Sequence, residues 1–124
     1  MKILIVDDEK QFADNLTEFL TLLGHKVHKV YTGEQAIDAL DKERPDVLLC
    51  DLKLSGVGTL DGDDVLTHLK SHNLKTIPIM LTAYKNEPTQ KMLASKGAVR
   101  CLYKPIKLSE IESLLRELEQ ELDG

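Results

Sequence analysis

The chain has no apolar run approaching the roughly 20 residues that a helix needs to cross a bilayer. Its first ten residues, MKILIVDDEK, lack the basic region and small-residue cleavage site of a secretory signal. Both absences point to the cytoplasm and away from a membrane partner. There are two cysteines, Cys50 and Cys101, each inside an apolar run and without CxxC or Cys/His spacing. That pattern argues for reduced, buried thiols over a disulfide or a cysteine metal site. Basic residues are outnumbered, 16 Lys and Arg against 21 Asp and Glu, for a net charge of −5. A chain short of cations is a poor phosphate-backbone binder, so direct nucleic-acid binding is not expected. Internal repeats, low-complexity tracts and linkers are also missing. What is there is 124 residues, 42% hydrophobic and 30% charged, the composition of one ordinary globular domain with a real core.

Short apolar runs alternate with amphipathic stretches. The strand segments are Lys2–Asp7, Lys26–Tyr31, Val47–Asp51, Ile77–Thr82 and Val99–Tyr103. Several are near-continuous Val, Ile and Leu, as expected of parallel strands covered on both faces. Phe12, Leu16, Phe19, Leu20 and Leu23 recur at helical spacing, and Gly24 follows as a helix-ending residue. Thr32 is placed to cap a helix carrying Ala36, Ile37 and Leu40, which must stop before Pro45. Val65, Leu66 and Leu69 mark a third helix. Met92 and Leu93 mark a fourth, closed by Gly97. Leu108, Ile111, Leu114, Leu115, Leu118 and Leu122 mark the last, with Ser109 near its start. Five βα units in a row predict a doubly wound α/β fold, a parallel sheet with helices on both faces.

In such a sheet, ligands bind beyond the carboxyl ends of the strands, where the strand order reverses. Asp7 and Asp8 follow the first strand, Asp51 ends the third, Thr82 and Ala83 end the fourth, and Lys104-Pro105 follow the fifth. Three carboxylates, a hydroxyl and an ammonium would meet at one edge. Crowded carboxylates raise one another's pKa unless a cation intervenes. Mg²⁺, hard and content with a few carboxylates and waters, suits such a site, with Mn²⁺ as a possible substitute. That ion and Lys104 would stabilise a transferring phosphoryl group, and a central carboxylate can serve as nucleophile. Taken singly, Asp7 and Asp8 also read as solvated strand-end charges, Asp51 as a surface acid, Thr82 as a satisfied strand threonine and Lys104 as a surface lysine before a turn. Glu9 reads chiefly as the exposed start of the first helix. His68 and His72, four apart, read as a solvated helix face.

The ordered segments ILIVDDE, VLLCDLKL, IMLTAY and KGAVRCLYKP resemble the receiver domain of two-component response regulators across essentially the whole chain. The resemblance implies a flavodoxin-like five-stranded sheet in the order 2-1-3-4-5, with residues 1–124 forming a single receiver domain and no output domain. It implies a phosphoaspartate switch that takes a phosphoryl group from a histidine kinase or histidine phosphotransfer protein and changes its surface toward a downstream protein effector. Such a chain is a signalling phosphoacceptor, not a classical enzyme. Carried over by position, Asp51 is the phosphoacceptor. Asp7, Asp8, Asp51 and the Lys53 backbone carbonyl are the metal ligands. Thr82, Ala83 and Lys104 are the switch and phosphoryl-contacting residues, and a cis Lys104–Pro105 bond is implied.

Three features depart from the family pattern. Cys101 stands where a switch aromatic is usual, and Tyr103 lies on the same strand side one pleat further along. The loop after Asp51 has Ser55 in place of the usual proline, and reaches Asp61-Gly62 three positions late through Gly56 and Gly58. Lys53 and Tyr84 occupy the positions that tune hydrolysis, where a long cation and a bulky ring would crowd the attacking water and slow self-dephosphorylation. Val99 and Arg100 replace an acidic pair common in winged-helix regulators, which weighs against that dimer mode. Two other functions are open to the sequence. One is a receiver-like binding module acting without phosphorylation. The other is an aspartate-nucleophile phosphatase, disfavoured because Lys53 stands where a second acid is needed.

Overall fold

A computed structural model describes residues 1–54, 58, 60–96 and 100–123. Five strands and five helices alternate: β1 (Lys2–Val6), α1 (Lys10–Leu22), β2 (Lys26–Val30), α2 (Gly33–Glu43), β3 (Val47–Asp51), α3 (Gly62–Ser71), β4 (Ile77–Thr82), α4 (Glu87–Ser95), β5 (Arg100–Tyr103) and α5 (Leu108–Asp123). The strands form one parallel sheet in the order β2-β1-β3-β4-β5, the predicted doubly wound, flavodoxin-like arrangement. β1 and β2 each stop one residue earlier than the sequence pattern suggests. Val99 and Gly97, expected in β5 and at the end of α4, lie outside the described residues.

The pleat sorts the core into two layers. Leu4, Val6, Leu48, Cys50 and Met80 point to one face and pack with Ala36, Ala39 and Leu40 of α2, Val65, Leu66 and Leu69 of α3, and Leu93 of α4. Ile3, Ile5, Leu49, Ile79 and Leu81 point to the other face and meet Ala13, Leu16 and Leu20 of α1 and Ile111, Leu115 and Leu118 of α5. β3, in the middle of the sheet, is buried at every position, while the edge strand β2 alternates between exposed and covered residues. Each fully buried Leu or Ile contributes about 1.5–3 kcal/mol relative to exposure. The layering therefore fixes the register, because a one-residue slip would turn a whole set toward water.

The helix ends follow local chemistry. Gly24 takes φ +96°, the left-handed conformation that terminates α1. Thr32 accepts a hydrogen bond from Gln35 N at the start of α2, as expected. Asn86 does the same for α4 through Thr89 N. Ser109 lies inside the first turn of α5 and not at its cap, because the helix already begins at Leu108. Leu108, the first residue of α5, and Leu122, one before its last, belong to the predicted apolar stripe but are exposed. Of the histidine pair, His72 is exposed as expected, and His68 is not. His68 is largely covered because its Nε2 meets Asp41 Oδ1 of α2 at 2.8 Å and its ring stacks on His72. α4 is the most lightly anchored helix, with Leu93 its one fully covered side chain and Lys96 at its end reaching Asp63 and Thr67 of α3.

Candidate functional site

The carboxyl ends of β1, β3, β4 and β5 bring the sequence's acids, hydroxyl and lysine to one edge. Asp7 leaves the end of β1 fully buried, and Asp51 ends β3 at 7% exposure. Ligand atoms of Asp7, Asp8 and Asp51 all lie within 4.8 Å of one another. Lys104 reaches across from the end of β5, its Nζ donating to Asp7 Oδ2 and to Asp51 Oδ2 at 3.0 Å each. The Lys104–Pro105 bond is cis, as the family resemblance implied. Asp7 Oδ1 accepts from Glu9 N at 2.9 Å, and Asp51 Oδ1 accepts from Lys53 N at 3.2 Å. Each buried carboxylate thus has one oxygen on backbone and one on the ammonium.

The electrostatics are unbalanced toward negative charge. Burial pushes the Asp51 carboxyl above its ordinary pKa, with the Asp7 charge adding to the rise and Lys104 opposing it. Burial also raises Asp7, against the hydrogen bonds from Glu9 N and Lys104. For Lys104, burial works to lower the pKa, but its bonds to Asp7 and Asp51 outweigh it and hold the ammonium above its usual value. One ammonium facing three acids leaves room for a further cation. The donors are all hard oxygen, which fits Mg²⁺ far better than a soft metal.

The remaining predicted residues are placed as follows. Thr82 is buried, and its Oγ1 accepts from Tyr84 N at 2.9 Å, so the hydroxyl is tied to the turn after β4. Ala83 is exposed, Lys53 is exposed, and Tyr84 is half exposed. Cys101 is half-buried and packs against the first core layer; its thiol and that of Cys50 are both free. Burial pushes both thiols up and away from reactivity. Tyr103 pairs in register with Thr82. Its hydroxyl lies 3.4 Å from Gln90 Nε2 of α4, and Lys85 Nζ sits 5.3 Å from its ring centroid.

Two further residues belong to the site. Glu9 Oε1 lies 3.7 Å from Lys104 Nζ, so the first residue before α1 faces the cluster. Phe12 lies with its ring centroid 4.9 Å from the same ammonium. In sequence Phe12 is one member of an apolar stripe; only its position one turn into the helix that follows Asp8 hints at the site. Of the late-arriving loop after Asp51, residues 55–57 and 59 are outside the described residues. Its far end is anchored: Gly62 N donates to Leu52 O at 3.0 Å, and Asp61 Oδ1 accepts from Leu54 N at 2.9 Å.

A (βα)₅ sheet with an acidic cluster and a lysine at the carboxyl edge defines a flavodoxin-like receiver. The chain belongs to the response regulator receiver domain family, whose model matches residues 3–116; the family is a phosphoacceptor module of two-component signalling. Among curated relatives, sporulation initiation phosphotransferase F of Bacillus subtilis (strain 168) is 32% identical over 116 residues, covering 94% of this chain and 91% of that protein. Regulatory protein AtoC of Escherichia coli (strain K12) is 30% identical over 96% of this chain, which spans only 25% of it. Among solved structures, the signal receiver domain of a DNA-binding response regulator from Colwellia psychrerythraea 34H is 31% identical, with a TM-score of 0.85 over 97% of this chain and 98% of that one. The Francisella response regulator 1452 receiver domain superposes at a TM-score of 0.88, with 98% of each chain covered, at 23% identity, a likeness of fold. Among the described residues, no helix is long and apolar enough to cross a membrane.

Proposed function

We propose that this chain is a phosphoaspartate switch in which Asp51 accepts the phosphoryl group. The observation that carries the reading is the meeting of Asp7, Asp8 and Asp51 oxygens within 4.8 Å beneath a single lysine that bonds two of them. The donor is a phosphohistidine on a kinase or phosphotransfer protein. An Asp51 carboxylate oxygen attacks phosphorus, the P–N bond breaks, and the leaving imidazole keeps the electron pair and takes up a proton. Lys104 neutralises charge on the phosphoryl oxygens without having to be recruited, since it already stands over Asp51. Asp7, Asp8, Asp51 and the Lys53 carbonyl would hold Mg²⁺, which supplies further charge neutralisation for the transfer.

The product is read out by Thr82. Its hydroxyl rests on the Tyr84 amide and can rotate toward a phosphoryl group on Asp51. That rotation alters the turn after β4 and the lightly anchored α4, and with them the surface offered to a protein effector. The 124 residues would act as one receiver unit, working in the cytoplasm. The likeness to sporulation initiation phosphotransferase F supports a role in phosphoryl transfer.

The test is intact-mass spectrometry after incubation with acetyl phosphate and Mg²⁺. Wild type gains one labile, metal-dependent phosphoryl group and Asp51→Ala does not. Absence of the adduct on wild type with Mg²⁺ demonstrably bound would favour a binding module that acts without phosphorylation.

A further inference from the structure

Lys104 is held by more than carboxylates. Its ammonium has Asp7 Oδ2 and Asp51 Oδ2 at 3.0 Å and Glu9 Oε1 at 3.7 Å, and it also faces the Phe12 ring, 4.9 Å from Nζ to the centroid. Two other ammonium–ring pairs occur among the described residues, Lys10 over Tyr31 at 5.4 Å and Lys85 over Tyr103 at 5.3 Å. Both of those lysines are exposed, and exposed pairs contribute little. The Lys104 side chain is only 17% exposed, so here the ring replaces water and the attraction is correspondingly larger. Phe12 is itself fixed, packing half-buried against the second core layer.

A lysine stem is flexible, and carboxylate lone pairs attract an ammonium without fixing its direction. An aromatic face adds a directional contact and excludes water from one side. We propose that Phe12 is a positioning residue for phosphoryl transfer, its ring holding the Lys104 ammonium over the Asp51 carboxylate. This rests on Asp51 being the acceptor. With acetyl phosphate as donor, an Asp51 oxygen–phosphorus bond forms, the donor's P–O bond breaks, and acetate leaves with the electron pair. Negative charge is spread over the phosphoryl oxygens during that step, and a pre-placed ammonium meets it without reorganisation.

The experiment measures the rate of adduct formation with acetyl phosphate and Mg²⁺ by intact mass. It compares wild type, Phe12→Tyr, Phe12→Leu and chains carrying mono-, di- and trifluorinated phenylalanine at residue 12. Fluorine drains the ring face of electron density while nearly preserving its shape, so the series reads attraction and not packing. The rate is expected to fall stepwise with fluorine number, to fall roughly 3- to 30-fold in Phe12→Leu, and to be retained within about two-fold in Phe12→Tyr. A flat fluorine series on a wild type that labels normally overturns this inference and leaves the acceptor assignment standing. Failure of wild type to label removes the acceptor assignment, and this inference with it.

Discussion

Gly62→Ala is a small change whose cost is legible in the structure. A Cβ at residue 62 would stand 2.1 Å from the Asp51 carbonyl oxygen, 2.8 Å from Leu52 Cα and 2.9 Å from Asp51 C. All three atoms are backbone at the end of the central strand, where nothing can rotate aside. Either α3 lifts by more than an ångström, losing the Gly62 N to Leu52 O hydrogen bond, or the end of β3 yields. Alanine favours the helix by about 0.5–1 kcal/mol over glycine. Overpacking costs about 1–3 kcal/mol, and the lost hydrogen bond adds about 1 kcal/mol. Sterics therefore win, for a net loss of about 1–3.5 kcal/mol. For a domain of this length that lowers Tm by roughly 4–14 °C. The acceptor backbone is the atom set struck, so phosphorylation by acetyl phosphate should slow as well. Gly33→Ala is the internal comparison: its Cβ would meet Leu60 Cβ at 2.8 Å and Leu60 O at 2.9 Å, a milder overlap, and its Tm should fall by less. Thermal unfolding followed by circular dichroism decides the matter. A Gly62→Ala variant melting within about 2 °C of wild type would refute the steric reasoning.

Three other outcomes are expected. Asp7 and Asp51 have raised pKa values in the folded chain, so the stability they contribute is present below their unfolded pKa and is lost as pH rises through the folded one. Mg²⁺ offsets that loss and competes with protons for the same oxygens, so the Tm increment produced by Mg²⁺ should grow from pH 5 to pH 7; an increment independent of pH would contradict the site. Tyr84 is half exposed in the turn after β4, two residues beyond Thr82, and Lys53 is exposed two residues after Asp51. Self-dephosphorylation in Mg²⁺ should therefore be slow, and Tyr84→Gly should speed it several-fold, as followed by decay of the mass adduct; a half-life of only seconds in wild type would count against this. Leu93→Ala, removing the one fully covered side chain of α4, should cost about 2–3 kcal/mol. Hydrogen exchange should rise first in α4, and uniform acceleration across the chain would show that α4 is not the weak unit.

Much of this protein is written in its sequence because its signals are local or periodic. Continuous Val/Ile/Leu runs separated by amphipathic stretches fit buried parallel strands with helices between them, and that pattern alone places Asp7, Asp8, Asp51, Thr82 and Lys104 at strand ends. Thr32 and Gly24 mark helix ends for reasons that concern only their own backbones. The tertiary structure decided what depends on distance between segments. Lys104 bonds two particular carboxylates, and Phe12, while packing against the core, also lies within reach of that ammonium. Glu9 joins the cluster although its position reads as a solvated helix start. His68 is covered by Asp41, twenty-seven residues away, and Leu108 and Leu122, at the two ends of α5, are left in water. A periodic pattern tells which face of a helix is apolar, but not where the neighbouring layer stops or which charge stands opposite. Those depend on packing across the fold, and so they become visible only when the chain is closed.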